Sequence, residues 1–401
     1  MLESIFADKL IDDDREAVLT FSLPAMEGTF ALYPPKLIFW VQLLVLFFLQ
    51  TFTQMLYAAF IYKFIVKQRR TSSAYLLGFG FIIPSALSAP YPILEYFLIQ
   101  NKTLKLSMGT MPLIVAFRCI EAMFDTSPHS VEESLWNYVT YYTSLSHFEW
   151  DPKTKTRRRC TASDFGAIFW RLLCHFHLAG LMLSLAMHFN YQLLPTNVNL
   201  HEYNLTWELF SPAHLVNAYM LAVLAFFMLA VGFEMASFGD NLKGFLTKQP
   251  FYNPLFTSRS PSEFWGRKWN MTIHRLLKHG AYMPARQYLS MHMSYFVTFL
   301  ASGLLHDYSW TVMYYQYGEP LAYHPAFFKT TAFFLWNYIL MAIEHETQHM
   351  WGFSKRLPTV VVSTLVVLTA LPFSHWYTGD WVASNYFSEF AMGLWFIRKV
   401  A

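Results

Sequence analysis

Long stretches nearly free of charge alternate along this chain with short polar segments that hold most of its basic residues. Crossing the ~30 Å hydrocarbon layer of a membrane takes about 20 helical residues. Nine stretches approach that demand: roughly 37–62, 73–94, 106–124, 166–188, 213–236, 293–317, 326–343, 357–377 and 381–397. The last two are the weakest. Thr359 to Phe373 is short, and Gly379-Asp380 barely separates it from the next run, so either can be half-inserted. The pattern predicts an all-α polytopic membrane protein with about nine transmembrane helices and two long loops, 125–165 and 237–292, the second carrying an amphipathic interfacial helix. The domain reading is simple: an N-terminal segment over 1–36, then one membrane-embedded domain over 37–401. No internal repeat with a convincing period is visible.

Composition agrees with a lipid environment. Of 401 residues, 55% are hydrophobic and only 14% charged, more apolar surface than one water-soluble core can bury. The net charge of +3 is too small to imply nucleic acid or an acidic partner. Cys119, Cys160 and Cys174 are an odd number at wide spacing, which argues against a disulfide framework or a zinc ribbon. The first 36 residues, rich in aspartate and glutamate, lack the pattern of a cleavable signal peptide, so the first apolar span is expected to act as the insertion signal.

The placement of lysine and arginine tests the span pattern independently. Alternating sides along nine spans puts 21 of the 29 basic residues on one face and five on the other, with Arg118, Arg171 and Lys329 inside or at the edge of spans. Basic residues accumulate in cytosolic loops, so the expected topology has a lumenal N-terminus and a cytosolic C-terminus. The glycosylation sequons at Asn101 and Asn204 then fall on the lumenal side. In the first cytosolic loop the TKTRRR run at 154–159 suits either anionic headgroups and phosphorylated substrates or plain topological anchoring.

The stretch SPSEFWGRKWNMTIHRLLKH, within the second long loop, is the least membrane-like piece of the chain. On one helix, Trp265, Trp269, Ile273, Leu276 and Leu277 form an apolar stripe, and Arg267, Asn270, His274 and Lys278 a polar one. Ser262 is a candidate N-cap and Glu263 favours the positive end of the helix dipole. Such a helix would lie in the headgroup region with its tryptophans at the boundary. Anchoring explains the tryptophans and cations. It leaves the neutral amide of Asn270 without a role.

A second anomaly is His306-Asp307, which interrupts the apolar run MSYFVTFLASGLLHDYSWTVMYYQY near mid-membrane. An ionisable residue there is costly and marks a candidate functional site. A desolvated histidine stays neutral, able to accept a proton as a general base. It can equally be a hydrogen-bonded packing residue. Ala301, Ser302 and Gly303 just before it would admit a close neighbour.

NPLFTSRSPSEFWGRKWN at 253–270, followed by ASGLLHD at 301–307, resembles the membrane-bound O-acyltransferase family, and within it the wax synthase branch. The resemblance runs from about residue 110 to 350 and includes RCIEAMFDTSP at 118–128. It implies that the family's signature asparagine and histidine fall on Asn270 and His306 as the catalytic pair. Arg267 and Lys268 stand where the diacylglycerol and sterol acyltransferase branches carry an acidic residue and a further aromatic, which favours the wax synthase branch. The implied reaction transfers a long acyl group from acyl-CoA to a lipid alcohol, fatty alcohol first and sterol or diacylglycerol next. His306 would serve as general base, and Asn270 would position or polarise the thioester. Arg259, Trp265, Arg267, Lys268, Trp269, Arg275 and Lys278 would meet acyl-CoA, and Asp307, Arg118, Glu121 and His175 would line the chamber. No cofactor or metal is expected. Membrane lipids, acyl-CoA and the alcohol are the implied partners, a homo-oligomer is compatible with the reading, and the endoplasmic reticulum membrane is the expected location.

Rival patterns remain. HETQH at 345–349 fits the H-E-x-x-H zinc motif, with Asp380 or Glu389 as candidates for the third ligand a metalloprotease needs. His175 and His177, spaced two apart, suit a polar cavity with Arg171 or helix packing. Arg118 and Glu121 suit an intrahelical ion pair or a polar chamber wall. A transporter would share the buried ionisable residues, but lacks the expected repeat.

Overall fold

A computed structural model of the chain describes all residues except 1, 12, 23–26, 152, 155, 201–202, 204, 317–325, 348–355 and 401. The architecture is helical. In chain order we label α1 (Leu37–Phe64), α2 (Ser72–Tyr96), α3 (Lys102–Met123), α4 (Ala162–His188), α5 (Pro212–Asn241), α6 (Met271–Leu277), α7 (Met291–Met313), α8 (Lys329–Glu346), α9 (Thr359–Ala370) and α10 (His375–Ala383). Several begin where the sequence offers a cap. The Asn101 side chain accepts from the amides of Thr103 and Leu104 at the start of α3, and Thr161 and Asp164 form a reciprocal capping box on α4. Ser211 and Ser290 cap α5 and α7 in the same way.

Helices α1 to α5 are long and apolar enough to cross a membrane, and the bent pair Thr359–Phe373 and His375–Ala383, angled at 63°, makes a sixth candidate. Of the apolar window of α3, 72% is buried, but only 22% of that of α2. Thus α3 and α5 are central, while α1, α2 and α4 turn residues such as Phe48, Phe52, Leu76, Phe81 and Trp170 outward, as lipid-facing helices do. The expected spans at 293–317 and 326–343 contain the helices α7 and α8, but among the described residues neither meets the same test of length and apolarity, so nine spans are not confirmed. The reason is visible in α7, where Ser294, Thr298, Ser302, His306 and Ser309 form a polar stripe and Asp307 adds a buried carboxylate on another face.

The expected ninth span, 381–397, is corrected outright. It consists of the end of α10, the short helix Tyr386–Ala391 and a strand. That strand, β3 (Phe396–Lys399), pairs antiparallel with β2 (Thr29–Tyr33), Ala31 opposite Arg398, and β2 pairs with β1 (Leu19–Ser22). Open sheet edges do not sit in hydrocarbon. The two ends of the helical region thus meet in one sheet, where the expected topology put the bilayer between them. Other contacts stitch the same layer: Lys36 N–H donates to the Met392 carbonyl at 2.8 Å, and Lys102 pairs with Glu389.

One further expectation meets a physical obstacle. Asn101 is fully buried, its amide donating to the Leu10 carbonyl at 3.0 Å, so it offers no glycan site in this fold; Asn204 lies outside the described residues. Within the 154–159 run, Arg157 and Arg159 bridge to Trp150 and Phe245 and so join the two long loops, while the side chains of Arg158 and Arg159 stay exposed. Arg157 sits over the rings of Phe148, Trp150 and Phe245 at 5.1–5.8 Å, and Arg158 pairs with Glu149 at 3.1 Å. Lys155 lies outside the described residues.

Candidate active site

The stretch around Asn270 is broken, not one continuous helix. Ser260, rather than Ser262, caps the first turn by accepting from the Glu263 amide. A π-helical turn then spans Phe264–Lys268, and the chain reverses at Asn270, whose φ of 37° and ψ of 65° are left-handed. Asparagine tolerates this conformation better than most residues, and its Oδ1 accepts from the Ile273 amide at 3.2 Å to cap α6. The asparagine thus has a structural reason to stand there. The two tryptophans are also corrected. Trp269 stacks on Phe264, centroids 5.3 Å apart, and packs against Phe251 and Phe226, while Trp265 faces Phe334 and Phe299. They are protein-packed side chains, not anchors at a membrane boundary.

Helix α8 holds this broken segment from the other side. Asn337 is buried and accepts from the Trp265 indole at 3.1 Å. Glu344 accepts from the amide and hydroxyl of Ser262 at 2.7 and 2.8 Å. Helix α7 packs against α8 closely because residue 303 is glycine: a Cβ there would stand 2.5 Å from the Thr331 Cα. That bears out the small residues before His306 as a point of close approach. One residue is a turn of about 100° on a helix, so adjacent side chains part. Asp307 accepts from the Thr331 hydroxyl at 2.5 Å, whereas His306 turns away, its Nδ1 2.7 Å from the Ser302 carbonyl oxygen and its ring stacked on Phe334 at 4.6 Å.

Between these elements lies a cavity of about 1170 Å³, bounded by α3, α5, α7, α8, α9, α10 and the 260–282 segment. Asn270 and His306 both line it, as do Trp265, Trp269, Arg267 and Lys278. The other expected cations do not. Arg259 donates to the Thr359 hydroxyl at 2.5 Å, Lys268 pairs with Glu263 at 2.9 Å and donates to the Thr257 carbonyl, and Arg275 is half-buried beside the cavity.

None of the four residues expected as chamber walls lines it. Asp307 serves the α7–α8 contact described above. Arg118 and Glu121 form no ion pair: both turn to Tyr141, Arg118 donating to its carbonyl and lying 4.3 Å over its ring, Glu121 accepting from its hydroxyl at 2.7 Å. His175 packs between Phe226 and Phe227. Arg171 pairs with Glu234 at 3.2 Å, joining α4 to α5.

Several lining residues were missed. Asn337, Glu344 and Tyr377 all face the cavity. The polar Asn337 inside the apolar run FFLWNYIL was a signal of the same kind as His306. His274 also lines the cavity; burial first, then the cations of Lys278 and Arg275, hold its pKa to about 4, so it is neutral near pH 7.

The zinc motif fares differently from its expected form. Its Gln348 and His349 lie outside the described residues. Neither anticipated third ligand is poised for it. Asp380 is fully buried against Lys329 at 2.9 Å, and Glu389 pairs with Lys102.

Residues 248–336 match the model of the membrane bound O-acyl transferase family. A stretch of 137 residues is 28% identical to acyl-CoA–sterol O-acyltransferase 1 of Arabidopsis thaliana, covering 31% of this chain and 37% of that protein. A shorter one of 67 residues is 36% identical to the probable long-chain-alcohol O-fatty-acyltransferase 9 of the same plant, covering 15% of this chain and 20% of that protein. The probable long-chain-alcohol O-fatty-acyltransferase 8 is 25% identical over 131 residues, covering 30% and 37%. The aligned stretches thus span well under half the length of these relatives. The matched segment covers less than half of the chain and runs from before the Asn270 turn to just past the Phe334 ring under His306, so the chain resembles this family over the part that holds both candidate residues.

Proposed function

We propose that the protein transfers a long acyl group from acyl-CoA to a long-chain lipid alcohol, forming an ester and releasing CoA. The observation that carries this reading is the shared cavity. Asn270 and His306, from two separate elements, line one chamber of about 1170 Å³ with largely apolar walls, the kind of space two alkyl chains need.

The local hydrogen bonds suit the assigned roles. A carbonyl oxygen can only accept, so the neutral His306 carries its proton on Nδ1, which donates to Ser302, and Nε2 is left as the base. Nε2 would take the alcohol proton as the oxygen attacks the thioester carbonyl. The proton then returns to the departing CoA sulfur as the tetrahedral intermediate collapses. With Oδ1 of Asn270 committed to the Ile273 amide, its Nδ2 remains to donate to the thioester oxygen or to the oxyanion it becomes. Arg267 and Lys278, exposed at the cavity edge, suit the CoA phosphates. The remaining wall is aromatic and aliphatic.

This reading treats residues 37–401 as one membrane-embedded domain in the endoplasmic reticulum membrane. The loop bearing Arg267 and Lys278 faces the cytosol, where acyl-CoA is found, and both chain ends lie on the lumenal face. Sterol is the alternative acceptor, favoured by the similarity to the plant sterol acyltransferase. The deciding experiment is a microsomal assay with labelled acyl-CoA offered in parallel with fatty alcohol, sterol and diacylglycerol. Labelled wax ester as the main product is expected. No ester from any acceptor would overturn the reading.

A further inference from the structure

Two imidazoles from different helices meet at the edge of the chamber. His292 is the second residue of α7 and His345 the penultimate residue of α8, and their ring centroids are 5.3 Å apart. Both line the cavity where it opens to solvent. With the carboxylate of Glu346, their ligand atoms all lie within 4.8 Å of one another, and all three side chains are exposed. We propose that His292, His345 and Glu346 form a binding site for a divalent transition-metal ion of the zinc class, which ties the start of α7 to the end of α8 across the mouth of the chamber.

The donor set selects the metal. Two neutral imidazole nitrogens and one carboxylate oxygen suit zinc, whereas calcium and magnesium prefer oxygen ligands throughout. Zinc–ligand bonds of about 2.0–2.1 Å place tetrahedral ligand atoms about 3.4 Å apart. The most widely separated of these atoms therefore need to close by up to about 1.4 Å, within reach of exposed side chains changing rotamer. Little ordering is required beyond that, because the helices are already held together. Gly303 packs on Thr331, Asp307 accepts from Thr331, and Trp310 donates to Thr330 at 2.8 Å. Three protein ligands leave a coordination position for water. This site differs from an H-E-x-x-H arrangement, since His292 on α7 supplies a ligand and the helices are bridged. An ion here would restrict passage between α7 and α8, so it would act as a clamp on the chamber rather than as the agent of its chemistry.

The test uses the full chain in lipid nanodiscs, titrated with zinc chloride against a chromophoric chelator. One equivalent of zinc is expected to compete with the chelator. Its affinity should fall at least tenfold in His292→Ala and in His345→Ala, and stay unchanged in His177→Ala, an exposed histidine on α4. Cobalt added in place of zinc should give the visible bands of a low-coordinate site in the unaltered protein and lose them in Glu346→Gln as well as in His292→Ala. Absence of the competing equivalent, or its retention in His292→Ala, would overturn the proposal.

Discussion

The Nδ1 of His306 stands 2.7 Å from the carbonyl oxygen of Ser302, one turn back along α7. Because this bond fixes the tautomer, replacing the imidazole tests the base while leaving the Asp307 and Gly303 contacts to Thr331 on another face of α7 intact, and gives up only the stacking on Phe334. His306→Gln keeps a polar side chain of similar reach but accepts no proton. Ester formation should fall by about 10²-fold or more, while protein abundance in the membrane stays near that of the unaltered chain. The microsomal acyl-CoA assay measures the first and immunoblotting the second. Full activity in this variant sinks the mechanism.

Asn270 holds a left-handed backbone and caps α6, so Asn270→Ala confounds chemistry with folding. That substitution should cost about 1 kcal/mol for the cap and roughly 1–2 kcal/mol for the left-handed conformation. Asn270→Asp separates the two roles. Aspartate caps and tolerates the conformation, but has no amine to donate. Thermal stability close to that of the unaltered chain, with turnover lower than in Arg267→Ala, is the expected result. If Asn270→Asp turns over normally, the amide is a cap alone.

The contrast between these two residues shows what the sequence made legible. His306 stood out because an ionisable group in an apolar run is costly wherever the helix goes, so its importance did not depend on knowing the neighbours. Asn270 was placed on a continuous helix because the apolar stripe through Trp265, Trp269 and Ile273 kept helical spacing across a break. The signal for the break was the asparagine itself, a residue enriched both in left-handed conformations and at N-caps. The expected contacts of Arg259, Lys268, Arg118 and Glu121 failed for another reason. Charge identifies a residue that needs a partner but not which partner, and here Thr359, Glu263 and Tyr141 satisfied that need. The 381–397 run was read from apolarity alone, although Asn385 and Gly393 punctuate it, and strand pairing with residues 29–33 leaves no local trace.

Lys329 and Asp380 form an ion pair at 2.9 Å with both side chains fully buried, and Lys329 also donates to the Leu200 carbonyl at 3.1 Å. Removing one partner leaves an uncompensated buried charge, which costs about 3–5 kcal/mol. Lys329→Met and Asp380→Leu should each lower the thermal midpoint of the detergent-solubilised protein sharply. The double variant should recover much of the loss, because a buried pair is often no more stabilising than apolar residues of similar size. Size-exclusion profiles after heating read this directly. Equal loss in single and double variants would mean the pair contributes net stability.

The loop beside the chamber should contribute to acid sensitivity. Burial, together with Lys278 and Arg275, holds His274 to about 4, below the 6.5 of an unperturbed histidine, and His279 is lowered by burial as well. Such a group binds a proton in the unfolded chain before it does so in the folded one. Stability is therefore fully present above pH 6.5 and falls as the pH drops towards 4. At pH 5 the depression of His274 corresponds to about 2 kcal/mol, at 1.36 kcal/mol per unit. His274→Gln removes this proton uptake, so the drop in thermal midpoint between pH 7 and pH 5 should be smaller in the variant than in the unaltered chain. Parallel curves for the two proteins across that window would show that His274 titrates like a solvated histidine and that the cations of this loop do not act on it.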